Sequence, residues 1–136
     1  MVTEDYVDFE AAKLLKEKGF DARCPMIYTA DGKLIYTGVK HHNMYAVTNK
    51  YLEYYTDIIA PSQTMAMKWL REVHRIVITT GYANICGLGF TYIASVIKIN
   101  DNSEIDDVDG PNFCLYKKSY EEACESAIKY CLENLI

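Results

Sequence analysis

The side chains in this sequence that could bind a ligand gather in the middle third of the chain. Lys40, His41, His42, Tyr45, Lys50, Tyr51, Tyr54 and Arg71 are the candidate ligand-binding residues, all between positions 36 and 75. Residues 31–75 carry six basic and four acidic side chains, all three histidines, and five tyrosines (Tyr36, Tyr45, Tyr51, Tyr54 and Tyr55). That segment is therefore net +2, and the rest of the chain is net −7. Rigid rings that pack or stack, phenols that hydrogen-bond and cations that take an anion make up a recognition surface. Tyrosine also suits half-exposed strand positions, which need no ligand. The expected occupant is a partner protein or a small anion of nucleotide type.

Catalysis is the alternative. His41, His42 or His74 could serve as a general base in a small hydrolase or transferase if a carboxylate converged on one of them. His41 and His42 are adjacent, so on an extended chain they point to opposite sides and are poorly placed to share a metal. Gly-x-Ser-x-Gly, the phosphate-loop pattern and His-Glu-x-x-His are absent. No catalytic residue is assigned, and neither a metal nor a cofactor is called for. Gly87-Leu88-Gly89-Phe90 spells a carboxylate-binding loop of peptide-recognition domains, but it is expected inside a strand, where glycines mark a bulge or a close contact. Asp101 to Gly110 is acidic, yet setting its glycine in a calcium loop puts Ile105 at the first ligand position and Tyr116 where a glutamate is needed. It reads as a solvated loop.

Three segments with helical period must position these groups. The first runs from about Thr3, an expected N-cap, to Lys18, with Val7, Ala11, Leu14 and Leu15 as its stripe and Gly19 as its stop. The second follows Pro61, with Ser62 as cap and Ala66, Trp69, Leu70 and Val73 on one face. The third starts at Ser119 with Glu122 three residues on, and its stripe is Tyr120, Cys124, Ala127, Ile128, Cys131 and Leu135. Strand patterns cover Met26 to Thr29, Lys33 to Thr37, Tyr51 to Ile59, Ile76 to Tyr82, Ile85 to Lys98 and Asn112 to Lys117. Asp31-Gly32 signals the first hairpin, and the cluster from Gly81 to Asn84 the turn of a later one. The expected fold is α+β, with three amphipathic helices and about six mainly antiparallel strands. Ala11 to Glu17 and Ala66 to Glu72 share Ala-x-Lys-(Leu/Trp)-Leu-(Lys/Arg)-Glu. This suggests a duplicated helix-plus-three-strands unit, residues 3–59 and 62–117, closed by a helix at 119–135. Favoured helix formers converge on the same letters without duplication.

Phe9 to Asp21 (Phe-Glu-Ala-Ala-Lys-Leu-Leu-Lys-Glu-Lys-Gly-Phe-Asp), Ala60-Pro61 with Met65 to His74, and Ser119 to Ala123 with Tyr130 to Leu135 resemble a group of small uncharacterised proteins encoded by gut Bacteroidetes and their phages. The resemblance covers the three helices, about a third of the chain. It implies a context, a cytoplasmic accessory protein of a phage or mobile element, and no activity or site residue.

The whole chain has 136 residues, the size of one domain, and residues 1–136 are expected to form one. Half its residues are hydrophobic and 24% charged, which excludes a disordered or collagen-like chain. A net charge of −5 argues against a duplex nucleic acid as partner. Five cysteines with no Cys-x-x-Cys pair fit a reducing cytoplasm, and no export signal is visible. Ile76 to Ile97 has no charge, but its glycines, threonines and alternation favour two strands over a membrane span. The sequence thus points to a non-enzymatic cytoplasmic binding protein with a Tyr-rich, locally basic surface. The histidine-based enzyme and a purely structural, homo-oligomerising module are the alternatives.

Overall fold

The computed structural model of the chain describes residues 4–40, 46–52, 56–87, 89–103, 105–107 and 115–136. It is an α+β protein whose chain divides into two compact units, Met1–Met65 and Ala66–Ile136. All the strand pairs among the described residues are antiparallel, in two sheets. No helix among the described residues is long and apolar enough to cross a membrane.

The first unit opens on an extended segment, and helix α1 (Phe9–Glu17) starts later than Thr3 would allow. The reason is competition for the backbone. Val7 N–H donates to Pro61 C=O at 3.0 Å and Gln63 N–H to Asp5 C=O at 2.8 Å, which holds Asp5 to Val7 extended. Asp8 caps instead, its Oδ1 accepting from Ala11 N–H at 2.9 Å; Thr3 lies outside the described residues. The stop is where the sequence put it. Gly19, at φ +88°, donates to Lys16 C=O while Phe20 N–H reaches back to Leu15 C=O, the paired bonds of a Schellman ending. Ala11, Ala12 and Leu15 are buried, and Phe20 closes over the same core.

Strands β1 (Met26–Tyr28) and β2 (Leu34–Tyr36) form the hairpin that Asp31-Gly32 announced, with Ile27 opposite Ile35. Gly32 sits at φ +81° under the Phe9 ring, so its lack of a side chain serves both turn and packing. A single helical turn, α2 (Thr37–Lys40), follows. Tyr51 to Ile59 is not one strand. Residues 49–51 form a 3-10 turn, and among the described residues of this stretch only β3 (Ile58–Ile59) enters the sheet, pairing with β1 on the side away from β2. Asn49 explains the break: its Oδ1 takes Ile59 N–H and its Nδ2 donates to Phe20 C=O, both at 3.0 Å. The chain must therefore curl back at Asn49 before it can extend.

Helix α3 (Gln63–His74) begins in the first unit, with Ser62 Oγ accepting from Met65 N–H at 3.1 Å as a cap should. Ala66, Trp69 and Leu70 are buried as expected. Val73 is not, at 59% exposed, because the apolar face turns toward His74, whose ring meets Trp69 edge-on at 4.6 Å. Arg75 alone joins helix to strand, and its φ of 58° is the left-handed step that so short a link needs.

The second unit is built on a long hairpin, β4 (Ile76–Ile85) and β5 (Gly89–Ile99), paired without interruption from Ile76 opposite Lys98 to Ile85 opposite Gly89. The chain turns after Ile85, at Cys86 and Gly87, not at Gly81 to Asn84. Gly87 and Gly89 take φ +89° and +73°, whereas Gly81 needs no left-handed backbone and stays in the ladder. Gly87-Leu88-Gly89 is therefore strand-connecting and not mid-strand. The acidic stretch after Asn100 is not all loop, since β6 (Ile105–Asp107) pairs with β5 at residues 97–99. β7 (Leu115–Lys117) pairs with β5 at residues 92–94; residues 112–114 of the expected strand lie outside the described residues. The first strand is central in one sheet and the second strand in the other, so the helix text repeats where strand order does not.

Helix α4 (Tyr120–Asn134) covers one face of this sheet. Ser119 Oγ accepts Glu122 N–H at 3.1 Å, half of the expected capping box. Its buried face is Ala123, Cys124, Ala127, Ile128, Cys131 and Leu132, against Ile76, Ala94 and Val96 of the strands. Thr80 Oγ1 lies 3.4 Å from Cys124 Sγ, and Lys98 Nζ donates to Leu135 C=O at 3.3 Å. Losing the cap exposes an orphan N–H, so Ser119→Ala is expected to lower stability by about 1 kcal/mol while Ser119→Thr stays near wild type. Urea denaturation of the three proteins checks it.

Candidate binding surface

The residues expected to bind are only partly placed. His41, His42, Tyr45 and Tyr54 lie outside the described residues. Lys40 ends the helical turn α2, while Lys50, exposed, and Tyr51 are chain neighbours on the 3-10 turn. Arg71 is exposed on α3 and belongs to the second unit. Among the described residues, only Lys50 and Tyr51 share one element.

Aromatic side chains gather elsewhere. Even-numbered residues of β4 and β5 share the face that α4 covers, since Thr80 and Tyr92 both meet that helix. The helix begins at Tyr120, beside Tyr92 with ring centroids 6.4 Å apart, and runs toward Lys98. The strands run on past its start. Tyr82 stands opposite Tyr92, with ring centroids 4.8 Å apart, and Phe90 stacks on Tyr82 at 5.4 Å and 14° between planes. Tyr82 is 60% exposed, Phe90 67% and Tyr120 45%, so the row Phe90, Tyr82, Tyr92, Tyr120 has sheet beneath it and little above. The Tyr120 phenol is pushed above its usual 10.0, first by the Cys124 thiol and then by burial, so it stays protonated.

Sequence reasoning missed this row because it ended the strand at Tyr82 and turned the chain over Gly81 to Asn84. The usable signal was the Gly87-x-Gly89 pair, which fits a tight turn and sets Tyr82 and Tyr92 symmetrically about it.

Among the described residues, Cys24, Cys131 and His74 sit in environments that weaken them as a nucleophile or base. Burial pushes the Cys24 thiol up to about 12, with Glu4 adding to it, and burial does the same to Cys131. Cys24 lines a cavity of about 120 Å³ in the first unit with Glu4, Tyr6, Arg23, Pro25, Ser62 and Met65. That is well below the roughly 300 Å³ at which small-molecule pockets begin. His74 is held below its ordinary 6.5, first by burial and then by the Lys98 ammonium, which weakens it as a base. Its Nε2 is buried and finds no hydrogen-bond partner among the described residues. No protein-family model, curated protein or solved structure matches this chain.

Two outcomes follow from these environments. At mildly alkaline pH a thiol alkylating reagent should modify exposed Cys86 in the native protein and leave Cys24 and Cys131 intact until denaturant is added. Peptide mass mapping reads this directly, and modification of Cys24 at the Cys86 rate contradicts the burial argument. His74 binds its proton more weakly folded than unfolded, so its contribution is complete above pH 6.5 and is lost as pH falls through that value toward the lower folded one. The drop in urea midpoint from about pH 7 to about pH 5 should therefore be smaller in His74→Gln than in wild type.

Proposed function

We propose that this protein is a non-enzymatic binding protein and that its contact surface is the row Phe90, Tyr82, Tyr92 and Tyr120. The observation that carries the reading is the stacked pair Tyr82 and Phe90, each more than half exposed beyond the start of α4. Large rings held rigid by their neighbours lose little conformational entropy on contact, and such residues dominate the energetics of protein interfaces. The row has no charge between Ile76 and Ile97 along its strands, which suits an apolar protein surface better than a phosphate. The helix resemblance to proteins of gut Bacteroidetes and their phages makes a host protein the first partner to seek, with the cytoplasm as the setting.

A photo-crosslinking amino acid at position 90, compared with one at exposed Lys33, should capture a defined protein from a Bacteroidetes extract only at position 90. Phe90→Ala should then weaken the purified pair at least about tenfold by calorimetry, with Tyr120→Ala acting in the same direction. Equal capture at both positions, or unchanged affinity in both variants, overturns the reading. Binding of a nucleotide that Lys50→Ala and Arg71→Ala both abolish would replace the protein partner with a small anion.

A further inference from the structure

The edge of β4 is unlike every other strand edge described. Ile99 N–H donates to Arg75 C=O at 2.9 Å, and Arg75 continues the β4 register opposite Ile99. Odd-numbered residues of β4 therefore turn their N–H and C=O toward β5. Ile76, Ile78, Thr80, Tyr82 and Asn84 turn theirs the other way, where no strand pairs with β4 among the described residues. Along this strand Thr79, Gly81, Tyr82 and Asn84 are exposed.

Unpaired edges are normally kept short or charged, because they invite another strand. The far side of the same sheet obeys this, with β6 and β7 three residues each and bearing Asp106, Asp107 and Lys117. In the first unit β2 has three residues and β3 two. β4 has ten residues, Ile-Val-Ile-Thr-Thr-Gly-Tyr-Ala-Asn-Ile, with neither charge nor proline.

We propose that β4 pairs with the β4 of a second copy of this chain, antiparallel about a two-fold axis through Thr80. Two copies of a chain with net charge −5 repel over most of their surfaces, but across this seam there is no charge to oppose its like. A two-fold axis normal to the sheet matches even-numbered residues with even-numbered ones, which are the residues whose backbone groups face outward. Thr80 then meets the partner's Thr80, Ile78 the partner's Tyr82, and Ile76 the partner's Asn84. Ile78 with Tyr82 is a favourable β-branched and aromatic pair, and it covers a ring that is 60% exposed in one copy. Both α4 helices fall on the same side of the joined sheet. Ten strand residues span roughly 34 Å, and a sheet-plus-helix layer about 20 Å deep gives on the order of 700 Å² per copy. A standard interface covers about 800 Å² per partner. The contact is isologous, so it consumes both long edges and closes as a dimer instead of growing.

Tyr82 belongs to both the seam and the aromatic row, whereas Phe90, Tyr92 and Tyr120 lie on β5 and α4, off the seam; the dimer is therefore tested at positions 79 and 80 and the partner surface at positions 90 and 120, so that either can fail alone. Sedimentation equilibrium across the micromolar range should give twice the 15.6 kDa chain mass for wild type. Thr79→Lys, an exposed site beside the axis, and Thr80→Pro, which deletes an outward N–H and no β4–β5 bond, should each weaken association at least about tenfold. Amide hydrogen exchange of wild type gives a positional test that needs no variant. The Ile78, Thr80 and Tyr82 amides should be protected in concentrated protein and exchange on dilution, while those of Val77, Thr79 and Gly81 stay protected in both. A monomer throughout, open-ended oligomers, a dimer indifferent to Thr79→Lys, or outward amides that exchange freely in concentrated protein each overturn the proposal.

Discussion

The ladder between β4 and β5 keeps one register over ten residue pairs, and the second unit depends on that register being held. Side-chain direction alternates along a strand, so a slip of one residue would carry Ala94 and Val96 away from α4 and put Ser95 in their place. Both ends pin it. At the tip, Gly87 and Gly89 take left-handed backbone that a side chain would oppose; at the base, Arg75 accepts the same strain to start β4 immediately after α3. Helix α4 adds a third fix, since Thr80 to Cys124 and Lys98 to Leu135 are contacts that a shifted β5 or β4 could not make.

The first unit has no such ladder and uses a different means of holding together. Its strands are two or three residues long, too short to be stable alone, and its order comes from side chains and segments that bridge distant backbone. Asn49 ties Phe20 to Ile59, Tyr28 Oη donates to Val7 C=O at 2.6 Å, and Cys24 exchanges backbone bonds with Val47. A bond of this kind contributes about 1 kcal/mol net, but removing Asn49 would take both bonds at once from part-buried sites. The weight of the unit thus falls on a few polar residues more than on strand length.

Features set by one or a few neighbouring residues could be read in the sequence. The Ser119 cap, the Gly19 stop, the Asp31-Gly32 hairpin and the α+β class all depend on preferences that act within four or five positions. What failed depended on distant partners. Gly81 and Asn84 have the composition of a turn, and only the pairing of Tyr82 with Tyr92 shows that they lie in a strand. Tyr51 to Ile59 alternates like a strand, but Asn49 holds Ile59 and Phe20 together and curls the chain. The proposed contact surface was the least legible part. A cluster of tyrosines and cations in sequence says nothing about which of them meet, whereas the aromatic row joins two strands and a helix over 38 positions, from Tyr82 to Tyr120.

The charge distribution acquires a physical meaning once the sheet is placed. A sheet face turned to solvent usually carries lysine and glutamate, yet the side of β4 and β5 away from α4 has Thr79, Gly81, Thr91 and Ser95 among Val77, Ile93 and Ile97. Polar atoms there are uncharged, so the desolvation cost of covering that face is that of hydroxyls, far below that of ions. The acidic groups lie at Asp101, at Asp106 and Asp107 of β6, and at Glu121, Glu122, Glu125 and Glu133 of α4. Repulsion between copies is thereby carried by the flanks of the unit, and the hairpin from Ile76 to Ile97 is left as an uncharged platform whose contacts depend on shape and backbone pairing more than on ionic strength.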